Sequence, residues 1–112
     1  MSTLYEQLTS ETYKSTFFDA SAPHALIDVR QPDEYAEARI PGAVLIPLGE
    51  LEARIAEVPT DLPVVLVCRS GGRSAMAAEL LRSKQFSGTL YNLEGGTMGW
   101  VRAGNAYDSG EA

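Results

Sequence analysis

Three short apolar runs, LIDV (26 to 29), AVLI (43 to 46) and VVLVC (64 to 68), show no polar and apolar alternation, and the segments between them place apolar residues at helical spacing. Strands buried on both faces of a parallel sheet read this way. Parallel neighbours must be joined by crossovers, so the chain is expected to form an α/β domain with a small, largely parallel sheet flanked by helices on both faces. The three runs read as central strands. TLYNL (89 to 93), set off by Gly88, reads as a further strand, and the stretch around Leu4 to Leu8 as a short edge strand. Helices are expected to start near Ser10, over DEYAEARI after Pro32 and Asp33, and over LGELEARIAEV through Leu48, Leu51, Ile55 and Val58. A fourth spans Arg73 to Ser83, with Met76, Ala77, Leu80 and Leu81 on one stripe, and a short fifth follows Gly95-Gly96.

With 112 residues, one domain over 1 to 103 is expected, followed by a polar tail, 104 to 112, that should fray. The net charge of −6 argues against nucleic acid as a partner. No apolar run approaches the roughly 20 residues of a membrane span, so no membrane partner is expected. The opening MSTLYEQLTS lacks a basic stretch leading into an apolar one, and a lone cysteine cannot close an internal disulfide; both favour a cytoplasmic location. No cofactor and no metal is called for.

That cysteine stands at the end of VVLVC, where a parallel sheet presents its ligand-binding edge. Between Cys68 and the helix from Arg73 lies a tight loop, Arg69-Ser70-Gly71-Gly72. Gly71 and Gly72 can adopt positive φ, letting successive N–H groups converge, and the helix dipole adds positive potential at the same point. Such a field stabilises a thiolate, which makes Cys68 a candidate nucleophile. Read structurally instead, Cys68 is a small buried residue closing a strand. Arg73, with Arg69 beside it, could hold an oxyanion by paired hydrogen bonds, and Ser70 and Ser74 could donate hydroxyls to it, although Ser74 equally suits a helix cap. Asp28 and Arg30 reach the same rim and are expected to pair with each other or to hydrogen-bond loop backbone instead of touching substrate; Glu34 is placed to pair with Arg30 at i,i+4. His24 precedes the strand carrying Asp28 and reads as a surface residue at the far end. Trp100 reads as core or pocket wall and Pro41-Gly42 as a turn.

The loop CRSGGRS after VVLV resembles the active-site loop of the rhodanese-like sulfurtransferases. LIDVRQPDEY, RIPGAVLIPL and LEGGTMGW resemble the family's other motifs in order, so the resemblance covers about residues 4 to 103. One departure is Arg39, where many members have histidine before the isoleucine. The resemblance implies a small parallel-sheet α/β fold and a double displacement: Cys68 takes sulfur from a donor such as thiosulfate as a persulfide, and a thiophilic acceptor removes it. It also implies small sulfur donors and acceptors as partners, with a sulfur-carrier protein or desulfurase as protein partners. Two other readings compete. A phosphatase or arsenate reductase of related fold would need five residues between cysteine and arginine, and here there are four. A non-catalytic partner-binding or sensing module commonly lacks the cysteine that this chain keeps.

Overall fold

A computed structural model describes residues 4–110. The apolar runs form a five-stranded sheet of β1 (Glu6–Leu8), β2 (Ala25–Asp28), β3 (Val44–Leu45), β4 (Val64–Val67) and β5 (Leu90–Leu93), ordered β1-β5-β4-β2-β3. Every pairing is parallel, as the strand and helix alternation requires. The connecting helices are α1 (Ser10–Tyr13, continued by a π-helical turn Lys14–Phe18), α2 (Pro32–Glu37), α3 (Leu48–Leu51), α4 (Gly72–Ser83) and α5 (Gly96–Arg102).

Successive β4 side chains point to opposite faces. Val64 and Leu66, with Cys68 just beyond, pack in one apolar layer with Leu51 of α3 and Ala77, Ala78 and Leu81 of α4. Val65 and Val67 pack in the other, with Tyr13 of α1 and Trp100 of α5. Both faces are covered, so β4 is buried at every residue and its sequence cannot alternate.

The structure corrects several expectations. AVLI is not central: β3 is an edge strand of two residues, and Val44 is 54% exposed while its neighbours Ala43 and Ile46 are buried. LGELEARIAEV is not one helix. Its Arg54 leaves helical geometry (φ −114°, ψ 20°), its guanidinium is held by Glu50 and Glu57, and a 3-10 turn at Ile55–Glu57 carries Val58 back into the core. On α4 the buried stripe is Ser74, Ala77, Ala78 and Leu81, which fits i, i+3, i+4, i+7, whereas Met76 is 58% exposed. His24 is half-buried instead of on the surface, with Nε2 2.8 Å from the Tyr13 hydroxyl and Nδ1 2.8 Å from the Ala22 carbonyl oxygen.

Residues 104 to 110 are tied back to the domain by hydrogen bonds. α2 stops at Glu37 because the chain becomes extended at Ala38, and Arg39 then exchanges both backbone hydrogen bonds with Asp108, each 2.9 Å. The indole N–H of Trp100 donates to the Ala106 carbonyl at 2.7 Å. Residues 111 and 112 of the expected tail lie outside the described residues. Among the described residues no helix is long and apolar enough to cross a membrane.

Candidate functional site

Parallel pairing aligns Asp28 with Val67 and Leu66 with Asn92, so the carboxyl ends of β2, β4 and β5 meet on one edge. Cys68 emerges there, 1% exposed. The chain reverses at Gly71 (φ +114°), a conformation that a Cβ would strain, and α4 begins at once with Gly72. Gly72 does not take positive φ; as the first residue of the helix it needs ordinary helical geometry. This reversal aims the Gly71 N–H at the Cys68 Sγ, 3.1 Å away, with the start of a twelve-residue helix behind it.

Ser74, fully buried on the first turn of α4, brings its Oγ to 3.4 Å from Sγ. The same hydroxyl lies 3.2 Å from the Gly71 carbonyl oxygen and in close contact with Asn92 Oδ1. It is therefore a bridge, not a simple cap. Asn92, 3% exposed on β5, donates through Nδ2 to the Gly71 carbonyl (3.2 Å) and to Gln7 Oε1 (3.1 Å), which steadies the glycine whose amide faces the sulfur. The sequence pattern did not single out Asn92; its signal was a carboxamide inside an otherwise apolar strand.

Burial by itself pushes the Cys68 thiol up, but hydrogen bonding by the Ser74 hydroxyl, together with the amides of Ser74, Gly71 and Ser70, outweighs it, and the thiol ends below its ordinary 9.0. Removing the hydroxyl in Ser74→Ala removes the first of these opposing causes. The rate of Cys68 alkylation by iodoacetamide, followed against pH, should rise at higher pH in the variant than in wild type and be slower at neutral pH. An unshifted profile would leave the lowering to the amides alone.

The second arm of the loop is held by α5. Gly95 (φ +78°) and Gly96 (φ +58°) turn the chain so that the Thr97 and Met98 amides donate to the carbonyls of Cys68 (2.9 Å) and Arg69 (3.1 Å). Unpaired N–H groups at a helix start and loop carbonyls satisfy one another, and those carbonyls are turned toward α5.

The charged candidates separate into two groups. Asp28 and Arg30, both buried, pair as expected: Nε donates to both carboxylate oxygens (2.9 and 3.1 Å), and Nη2 donates to Oδ2 (2.7 Å) and to the Ala38 carbonyl (2.6 Å). They brace the rim beside the loop. Glu34 does not pair with Arg30, whose fork is already engaged; it takes both Arg73 nitrogens, at 2.7 and 2.9 Å. Arg73 thus ties α4 to α2. Arg69 and Ser70 are exposed, and among the described residues their side chains make no hydrogen bond or ion pair.

Hydrogen bonding to Arg73 lowers the Glu34 carboxyl most, against a smaller upward push from burial and with help from the Gln31 amide, taking it from 4.5 to about 2. A carboxylate lowered on folding adds stability that is present above its ordinary value and is lost as pH falls toward the folded one. Wild type should therefore exceed Glu34→Gln in stability by up to about 1 kcal/mol at neutral pH, the pair being partly solvated. Urea melts should show that gap closing between about pH 4.5 and pH 2. A gap that persists at the acid end would mean the glutamine acts through something other than charge.

The family model for the rhodanese-like domain matches residues 9–103, which include every element of this site except the approach of Gln7. The chain belongs to the rhodanese-like family. It is 40% identical over 79 residues to a sulfurtransferase of Allochromatium vinosum, covering 70% of this chain and 73% of that protein. It is 42% identical over 97 residues to the Bacillus subtilis protein YqhL, covering 87% and 73%. Among solved structures, a thiosulfate sulfurtransferase from Pseudomonas aeruginosa superposes with a TM-score of 0.86 at 30% identity, covering 96% of this chain but 21% of that one. The rhodanese-like chain described here thus spans about a fifth of that larger protein.

Proposed function

We propose that this rhodanese-like sulfurtransferase carries sulfane sulfur on Cys68, taking it from a donor such as thiosulfate and passing it to a thiophilic acceptor. In the first step the Cys68 thiolate attacks the outer sulfur of thiosulfate, the donor's S–S bond breaks, sulfite leaves with the bonding pair, and an anionic persulfide remains. The observation that carries this reading is the convergence of the Gly71 N–H and the Ser74 hydroxyl on Sγ. Preorganised donors of this kind stabilise charge on sulfur without reorganising during reaction. Arg69 is the cation left to meet an anionic donor, because Arg73 is engaged by Glu34 and serves to fix the end of the loop. Small sulfur donors and acceptors fit the exposed rim, and a desulfurase or sulfur-carrier protein could present its sulfur to the same face. Intact mass after incubation with thiosulfate tests the reading. One added sulfur atom, removed by cyanide as thiocyanate, is the expected result; a mass that never changes with any sulfane-sulfur donor would refute it.

A further inference from the structure

Three acceptors surround the Ser74 hydroxyl, and it has one proton to give. They are the Cys68 Sγ at 3.4 Å, the Gly71 carbonyl oxygen at 3.2 Å, and Asn92 Oδ1 in close contact. The Gly71 carbonyl does not need that proton. Its two lone pairs already take Asn92 Nδ2 at 3.2 Å and the Ala75 amide of α4 at 3.2 Å. Because a carbonyl oxygen only accepts, the first of these bonds fixes the Asn92 carboxamide with its nitrogen toward Gly71. The second hydrogen on that nitrogen goes to Gln7 Oε1 at 3.1 Å, and Oδ1 is left facing Ser74. The contest for the proton is therefore between Asn92 Oδ1 and Cys68 Sγ.

The two claimants differ in what they need. Among the described residues, Ser74 is the one donor that reaches Asn92 Oδ1. Ser74, Asn92 and Cys68 are all buried, so an oxygen left bare here is not rescued by bulk solvent and carries the full cost of an unmade hydrogen bond. Sγ already has the Gly71 N–H at 3.1 Å, and as a neutral thiol it is a weak acceptor. Once ionised it becomes a strong one.

We propose that Asn92 is a positioning residue that holds the Ser74 proton while Cys68 is an uncharged thiol and yields it, by rotation of the hydroxyl about the Cβ–Oγ bond, when Sγ becomes a thiolate. No covalent bond changes in that rotation, because Ser74 keeps its proton throughout. The place of the rotation in turnover rests on the persulfide reading above. The proton serves Sγ as the thiolate attacks the donor and returns to Asn92 once the charge has moved to the outer sulfur. It serves Sγ again when an acceptor takes that sulfur, the S–S bond breaks and the electron pair goes back to Cys68. Asn92 thus confines the hydrogen bond to the steps in which Sγ carries charge.

The test is a cycle of four proteins, wild type, Asn92→Leu, Ser74→Ala and the double variant, with the pH midpoint of Cys68 alkylation by iodoacetamide as the readout. Leucine keeps the branched shape of asparagine without its acceptor. Asn92→Leu should move the midpoint about half to one pH unit further down in the wild-type background than in the Ser74→Ala background. Arg69, the Arg73–Glu34 pair, the Asp28–Arg30 pair and the exposed Glu94 after β5 are the same in all four proteins, so their fields cancel in that comparison. An equal shift in both backgrounds would mean that Asn92 acts through Gly71 alone. A midpoint that rises only where Ser74 is present would mean that Asn92 aims the hydroxyl at the sulfur. Either result overturns the proposal. Asn92→Val, smaller and suited to a strand, is read in the same way should urea melts show the leucine variant unfolded. Alkylation needs no sulfur donor, so a chain that takes up no sulfur would overturn the persulfide reading, whereas a missing coupling would overturn the Asn92 assignment alone.

Discussion

Cys68→Ser is expected to take up no sulfur from thiosulfate and to form no thiocyanate, with a fall in turnover on the order of 10⁶, the scale on which loss of an enzyme nucleophile acts. The loss should be chemical, not structural. A serine hydroxyl at this position would still meet the Gly71 amide and Ser74, so stability should change by no more than about 1 kcal/mol. Thermal melts of the two proteins alongside the mass and thiocyanate measurements separate the two effects. A serine variant that still loads and transfers sulfur would end the nucleophile assignment. The same pair of proteins tests the phosphatase alternative. Four residues separate Cys68 from Arg73, and the Arg73 fork is turned onto Glu34, so the arginine that ends the loop is not turned inward to hold a tetrahedral phosphoryl group. Wild type should not hydrolyse a small aryl phosphate. Turnover that is robust in wild type and lost in Cys68→Ser would replace sulfur transfer with phosphoryl chemistry on the same nucleophile.

What the sequence made legible, and what it hid, follows from the range of the interactions involved. The strand and helix order could be read because burial on both faces writes itself into runs such as VVLV, and the loop could be read because strand, cysteine, glycine and helix are contiguous. The pairing of Asp28 with Arg30 was also local, two residues apart. Glu34 and Arg73 are 39 residues apart, and nothing in the local pattern distinguishes that pair from an i,i+4 pair with Arg30. Asn92 reaches the loop only because β5 lies beside β4, a consequence of strand order. The tail misled for the same reason. Its composition is that of a solvated end, and what ties it down is a backbone exchange between Asp108 and the distant Arg39, together with an indole N–H that composition cannot reveal.

Gly96→Ala should be among the most destabilising single-methyl changes available to this chain. A Cβ on Gly96 would stand 2.3 Å from the Cys68 carbonyl oxygen, 2.5 Å from that of Arg69 and 2.6 Å from the Arg69 carbonyl carbon. All three are backbone atoms of the loop, so no side chain can swing aside to make room. Gly96 also sits at φ +58°, where an L residue carries roughly 1–2 kcal/mol of strain before any overlap. Relief requires moving the start of α5 away from the loop, which breaks the hydrogen bonds from the Thr97 and Met98 amides to those same carbonyls. A total on the order of 4 kcal/mol is expected, a large share of the roughly 5–15 kcal/mol that holds a typical domain folded. Gly99 provides the control one turn later in the same helix. A Cβ there would meet nothing within 4 Å, so Gly99→Ala should be neutral or stabilising by up to ~1 kcal/mol. Gly71→Ala should fall between them, because its φ of +114° is strained but its nearest neighbour would be 3.8 Å away. Urea midpoints for the three variants should follow that order. The variant at Gly96 should also lose sulfur transfer in whatever fraction stays folded, since the carbonyls it displaces belong to Cys68 and Arg69. A Gly96→Ala protein as stable as Gly99→Ala would mean that α5 does not hold the loop as closely as these distances require.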